Sequence, residues 1–288
     1  MMKVGLVGAG LMGAGLARLF SRADWQVSVF DPDRAVLDKL GEQSPGLILS
    51  QELEPVVQGV DIVIEAAPEK PPLKQSIFLD LARFTGPETI LATNSSVIPV
   101  GVVTEKLSDE DAKRAVGAHF WNPPDIIPLV EVIQGPRSGL PAIGKTMEIM
   151  RSVGKSAVHV KKDAVPGNRM QAALWREALA LIEEGICAPE DVDVIVTRSF
   201  GLRLPVLGPI GNMDLIGVDL TADIHRVVLP TLSNATAPMS PLTERLARGD
   251  LGVKTGNGFY RGWTEEKIAA LRARLVGHLN SLLNKDPS

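Results

Sequence analysis

The feature that most constrains this chain is a run close to its start, Val4-Gly5-Leu6-Val7-Gly8-Ala9-Gly10-Leu11-Met12-Gly13. A short apolar strand signal enters a Gly-x-Gly-x-x-Gly turn, and a helical pattern over Leu11–Phe20 leaves it. Each glycine has a separate reason. Gly8 permits the tight turn, Gly10 lets a pyrophosphate approach the backbone, and Gly13 lets the helix pack against the strand. The unpaired N–H groups at the helix start, around Gly10, Leu11 and Met12, are then free to bind phosphate oxygens. The next strand-like run, Val27–Phe30, ends at Asp31. A carboxylate there accepts hydrogen bonds from both ribose hydroxyls and repels a 2′-phosphate, so NAD is expected rather than NADP. Arg34 is a nearby cation that could meet such a phosphate. The alternative is a glycine-rich turn that serves packing alone.

The rest of the first half alternates in the same rhythm. Ile62–Ile64, Ile90–Ala92 and Ala115–His119 read as buried strands, with a helix over Leu73–Phe84. Leu129–Val132 and Ala157–Val160 read as further strands around a helix over Pro141–Val153. Strand and helix in alternation specify an α/β fold, a Rossmann doubly wound parallel sheet. Beyond about residue 165 the strand signal fades. Helices are expected at Asn168–Gly185, Pro189–Ser199, Met213–Leu229, Pro241–Arg248 and Thr264–Leu283. The expected division is therefore an NAD-binding domain over 1–163 and an all-helical domain over 164–288.

Composition excludes several classes of function. The 288 residues are 45% hydrophobic and 22% charged, with a net charge of -4. That balance describes a folded protein with no basic field for nucleic acid or an anionic membrane. Cys187 is the lone cysteine, so no intrachain disulfide forms. No apolar run is long enough to span a bilayer, and the strand at Lys3–Val7 leaves no room for a signal peptide. A cytoplasmic protein is expected, with no metal.

A second cluster lies at Ala118-His119-Phe120-Trp121-Asn122-Pro123-Pro124, followed by Pro128-Leu129-Val130-Glu131. His119 ends a strand, and ligands of open parallel sheets bind beyond the carboxyl ends of the strands. Histidine accepts a hydroxyl proton near neutral pH. Glu131 can return beside the imidazole, orient it and stabilise its charged form. The rival reading of His119 is a structural histidine.

Five segments now stand in order: the glycine turn with Asp31, Thr93-Asn94-Ser95-Ser96, the His119 to Glu131 run, Pro166-Gly167-Asn168-Arg169, and Lys254-Thr255-Gly256-Asn257-Gly258-Phe259-Tyr260. As a set they resemble the L-3-hydroxyacyl-CoA dehydrogenase family, from residue 3 to about 262. The resemblance implies a Rossmann domain, a helical dimerising domain, a homodimer and a role in fatty acid metabolism. It implies His119 as the general base and Glu131 as its partner. Ser96 falls on the family's serine that hydrogen-bonds the substrate oxygen, and Asn168 on the asparagine that completes the polar site from the helical domain. Glu69, Lys74 and Asn94 fall on the cofactor side. Plainer roles stand beside these. Ser95 and Ser96 could cap the following helix, Glu69 and Lys74 could form a solvated helix start, and Asn168 could cap its own helix. His159, Asp214 and Asp219 read as structural, and His225 and His278 as surface residues.

The chain also departs from the family. Typical members carry a helical arm that helps hold coenzyme A, in the position of residues 31–61 here. This chain has only a short helix, one possible strand and a connector. Lys70, Lys74, Lys161 and Lys162 could substitute in part. The Pro166-Gly167 pair directly adjoins Asn168-Arg169, where three apolar residues usually intervene, which puts the placement of Asn168 in question. Trp121, Pro123-Pro124, Ile126-Ile127-Pro128 and Trp175-Arg176-Glu177-Ala178 resemble a branch acting on small free acids, including carnitine, gulonate and hydroxymethyl-pyridine carboxylate. Arg169 or Arg176 could then bind a substrate carboxylate, or simply lie on the surface. The expected reaction is the family's, oxidation of a 3-hydroxyacyl substrate to the 3-oxo product by hydride transfer; a dehydrogenase of a small free hydroxy acid and a cofactor-binding protein with little turnover are the alternatives.

Overall fold

The computed structural model describes residues 1–283. The chain divides into two compact units, one of residues 1–166 with the end of the last helix, the other of residues 167–277. In chain order the first unit comprises β1 (Lys3–Val7), α1 (Leu11–Arg22), β2 (Gln26–Phe30), α2 (Arg34–Gln43), β3 (Ile48–Ser50), α3 (Glu54–Val57), β4 (Ile62–Glu65), α4 (Pro71–Phe84), β5 (Ile90–Thr93), α5 (Val100–Val103), α6 (Asp109–Lys113), β6 (Ala115–Phe120), β7 (Leu129–Ile133), α7 (Leu140–Ser152) and β8 (Ser156–Val160).

All eight strands join one sheet in the order β3-β2-β1-β4-β5-β6-β7-β8. The chain winds outward from β1 through β2 to β3, then crosses back to β4. The order therefore reverses between β1 and β4, and such a reversal opens a crevice at the carboxyl ends of the strands. The pairings from β3 to β6 are parallel, as expected. The expectation of a parallel sheet fails at β7, which runs antiparallel to β6. The connecting residues 121–128 are too few for the crossover that parallel strands require.

Strand periodicity sends alternate side chains to opposite faces. Ile62 and Ile64 join Leu6, Leu16 and Phe20 on one side of the sheet. Val63 turns the other way, with Val7, Phe78 and Leu81. Gly5 is bare because a Cβ there would lie 2.9 Å from the Val56 carbonyl of α3.

The second unit is built of α8 (Pro166–Glu183), α9 (Pro189–Arg198), α10 (Pro209–Ile216), α11 (Val218–Val228), α12 (Ser240–Arg248) and most of α13 (Glu265–Leu283). Two expected helices are corrected. α8 starts at Pro166, whose fixed φ suits a first helical position, and it ends before Gly185. The single helix expected over Met213–Leu229 is broken at Gly217, where φ is +101°; glycine adopts that conformation without penalty. Among the described residues of this unit only Ala180, Val192 and Pro241 are buried. No described helix is long and apolar enough to cross a membrane.

Candidate active site

Gly8 adopts φ +100°, and a Cβ there would lie 2.9 Å from the Ala66 carbonyl. At Gly13 a Cβ would lie only 1.8 Å from the Gly8 carbonyl oxygen, so the helix reaches the strand only because this position is bare. Gly10 has nothing within 4 Å of the Cβ position. Its missing side chain leaves open space directly over the start of α1, which has no side-chain cap. Bare backbone donors beside an open cradle fit a pyrophosphate.

Asp31 follows β2. Its Oδ2 accepts from the Ala9 N–H at 2.8 Å and its Oδ1 from the Asp33 N–H at 2.9 Å. Each oxygen keeps a second lone pair for a ribose hydroxyl. Arg34 turns instead to Asp38, one helical turn on, at 2.8 Å. A cavity of about 830 Å³ covers this end of the sheet, its wall including Gly8, Gly10, Asp31, Glu69, Asn94 and His119. Met12, Lys74 and Ser96 also border it. Leu11 is 72% exposed and lies outside the wall. Gly13 acts from beneath, by packing.

The antiparallel register sets His119 directly opposite Glu131. Their side chains therefore emerge on the same face, and His119 Nδ1 lies 2.8 Å from Glu131 Oε2. Both are buried. The Trp121 indole N–H reaches the same carboxylate oxygen at 3.4 Å. Asn94 ties neighbouring strand ends together, donating its N–H to the Glu65 carbonyl and accepting from the Phe120 N–H, both at 2.8 Å. Asn168 lies in the first turn of α8, in the other compact unit.

Glu65 is a residue the sequence reading missed. It is 0% exposed and accepts from Lys74 Nζ at 2.7 Å, Thr93 Oγ1 at 2.8 Å and the Ala67 N–H at 2.7 Å. Burial pushes its carboxyl above the usual carboxylate range, opposed by the Lys74 charge and these hydrogen bonds. Lys74 is thus a buried cation, not part of a solvated helix start. It also donates to the Ala67 carbonyl at 3.0 Å and lies 3.7 Å from Glu69. Glu69 accepts from Ser95 Oγ at 2.8 Å and the Ser96 N–H at 3.0 Å. Ser95 caps the following turn as well, accepting from the Ile98 N–H at 2.8 Å. The available signal for Glu65 was an acid ending the apolar run Ile62-Val63-Ile64. Only the fold reveals the lysine beneath it.

A reversed-order sheet with an open glycine cradle at the start of α1, a carboxylate at the end of β2 and a histidine in the wall of the same cavity is the arrangement of a dinucleotide-dependent dehydrogenase. Comparison with known proteins gives the family. Residues 3–48 and 42–164 match the 3-hydroxyacyl-CoA dehydrogenase NAD-binding domain, and residues 166–262 match the C-terminal domain of the same enzymes. The chain belongs to the 3-hydroxyacyl-CoA dehydrogenase family and is an NAD-dependent oxidoreductase. It is 32% identical over 292 residues to 5-formyl-3-hydroxy-2-methylpyridine 4-carboxylate 5-dehydrogenase of Mesorhizobium japonicum, covering 94% of this chain and 93% of that one. A crystal structure of an enzyme of that activity, described as an NAD+ dependent dismutase, matches with a TM-score of 0.92 at 29% identity, over 98% of this chain and 97% of that one. The 3-hydroxyacyl-CoA dehydrogenase of Archaeoglobus fulgidus matches with a TM-score of 0.73 at 31% identity, over 99% of this chain and all of that one.

Proposed function

We propose that this enzyme oxidises the hydroxyl of a small free hydroxy acid, with His119 as the general base. The observation that carries the choice of substrate is the short path from Asp31 to Asp61. It holds only α2, β3 and α3, and α3 has four residues, so the helical arm that helps hold coenzyme A in typical members has no counterpart. The 0.92 match to a pyridine carboxylate dehydrogenase supports the same reading.

In the mechanism, the ionised Glu131 accepts a hydrogen bond from Nδ1–H of His119 and so fixes the tautomer that leaves Nε2 as the basic nitrogen. Nε2 takes the hydroxyl proton, and Glu131 stabilises the imidazolium that forms. NAD, when bound over Gly8–Gly13 and Asp31, supplies the hydride acceptor. Ser96 takes the family's role of hydrogen-bonding the substrate oxygen. Glu69, Asn94 and the buried Lys74 shape the cofactor side. Arg169 and Arg176, both exposed on α8, are the candidates for a substrate carboxylate.

A 3-hydroxyacyl thioester is the second reading, favoured by the match of both family domains along residues 3–262. NAD reduction with 3-hydroxybutyryl-CoA set against free 3-hydroxybutyrate, carnitine and gulonate separates the two. Turnover of the thioester alone overturns the free-acid reading. His119→Ala is expected to lower kcat on the order of a hundredfold or more; full activity in that variant removes the base assignment.

We also propose a homodimer. Helices α8–α11 leave Met170, Leu215, Val218 and Val227 more than 60% exposed, and a unit with so few buried residues gains its stability by covering such surface. A monomer in sedimentation at micromolar concentration overturns this.

A further inference from the structure

Residues 121–128, which lead the chain away from His119, are held by α1 and by Lys155. Pro124 seats on α1 opposite Gly15. A Cβ at Gly15 would lie 2.5 Å from Pro124 Cγ and 2.8 Å from its Cδ, and its other close neighbour would be Asp125 Oδ1 at 3.4 Å. One turn further along α1, Arg18 donates to both oxygens of Asp125, at 3.0 and 3.2 Å. Burial would raise the Asp125 carboxyl, but hydrogen bonds and charge from Arg18 outweigh it and hold the group below its usual range. Lys155, 6% exposed, also holds this loop, donating to the carbonyls of Pro124 at 2.6 Å and Ile127 at 2.7 Å.

The two ends of this arrangement are functional. α1 begins on the dinucleotide turn, and Trp121 and Asn122, just before Pro124, line the cavity beside His119. A glycine in the middle of a helix is unfavourable relative to alanine. The three heavy atoms nearest to a Cβ at Gly15 all belong to this loop.

We propose that Gly15 is a positioning residue for the dehydrogenase reaction: its bare Cα lets Pro124 seat on α1, which holds the His119 wall of the cavity in register with the cofactor turn. This rests on the reading of His119 as the base. The effect on chemistry is indirect, through placement of the imidazole and its neighbours. A displacement of about 1 Å at a catalytic group costs on the order of a hundredfold in rate.

The test compares wild type, Gly15→Ala and the double variant Gly15→Ala with Pro124→Ala. Three quantities are read: NADH affinity by fluorescence, the NMR signals of the His119 imidazole (assigned by their absence in His119→Ala), and kcat on the substrate found active above. Gly15→Ala is expected to keep NADH affinity within roughly twofold, displace the His119 signals and lower kcat roughly ten- to a hundredfold. Removing the proline ring in the double variant returns the signals and most of kcat. Unmoved His119 signals in Gly15→Ala overturn the proposal. So do signals that stay displaced in the double variant, or a loss of NADH affinity that accounts for the loss of rate. Should Gly15→Ala fold poorly, Asp125→Asn, which keeps the loop's size and weakens only its tie to Arg18, is read the same way and is expected to move the same signals. Full turnover in His119→Ala overturns the base assignment, whereas the imidazole signals judge the role of Gly15 by themselves.

Discussion

Lys74 Nζ meets Glu65 Oε1 at 2.7 Å, and the two side chains are 1% and 0% exposed. A charge so buried is tolerable only while its partner and its hydrogen bonds remain. Removing either side alone leaves an uncompensated buried group. Lys74→Met or Glu65→Leu is therefore expected to lower the unfolding free energy by about 3–5 kcal/mol. The double variant is expected to lose clearly less than the sum of the two. Urea denaturation of all four proteins checks this, and additive losses would show that the pair is not coupled.

The glycines of the first turn separate cofactor binding from folding. Gly10→Ala meets no protein atom within 4 Å, so its stability is expected to stay within about 1 kcal/mol of wild type, while the methyl group intrudes on the phosphate site and NADH affinity falls. Gly13→Ala forces a Cβ against the Gly8 carbonyl and is expected to cost about 1–3 kcal/mol of stability as well as NADH affinity. Thermal denaturation beside NADH titration distinguishes the two variants. Equal stability losses would contradict the geometry.

Glu131→Gln keeps a side chain of the same shape opposite His119 but removes the charge that stabilises the imidazolium in the proposed mechanism. The expected loss in kcat is on the order of a hundredfold or more, with little change in NADH affinity. Stopped-flow turnover with NADH titration measures both. Unchanged kcat would make the carboxylate a structural partner only.

Lys155 links stability to alkaline pH. Burial lowers its ammonium from 10.5 to about 8, with the Asp125 charge opposing the shift. Between about pH 8 and 10.5 the unfolded chain holds a proton that the folded chain has released, so this group's contribution to stability rises with pH through that window. Below pH 8 the full cost of burying the charge is present. The stability of wild type relative to Lys155→Met is therefore expected to improve as pH rises from 8 to 10.5. A difference that stays flat across that range would mean the lysine keeps its ordinary titration.

Much of the fold was legible because it is written in short stretches. The turn at Gly8–Gly13 and its acid at Asp31 depend on local backbone geometry, and β1, β2, β4, β5 and β6 announce themselves as apolar runs. His119 could be located at a strand end for the same reason. The helix expected through Gly217 failed because apolar periodicity continues across a glycine whose positive φ is a matter of conformation. The direction of β7 was missed because apolar patterning carries no information on strand polarity.

The sequence by itself determined the dinucleotide turn, the alternation of strands and helices, and the residue types available at the strand ends, since these follow from steric limits and periodicity within a few neighbouring residues. Tertiary structure alone decided that Glu131 faces His119, that Glu65 and Lys74 form a buried pair, and that Gly15 and Lys155 grip the loop after His119. Those relationships join residues 9 to 109 positions apart. Their energies depend on burial, register and close approach, which exist only once the chain has folded.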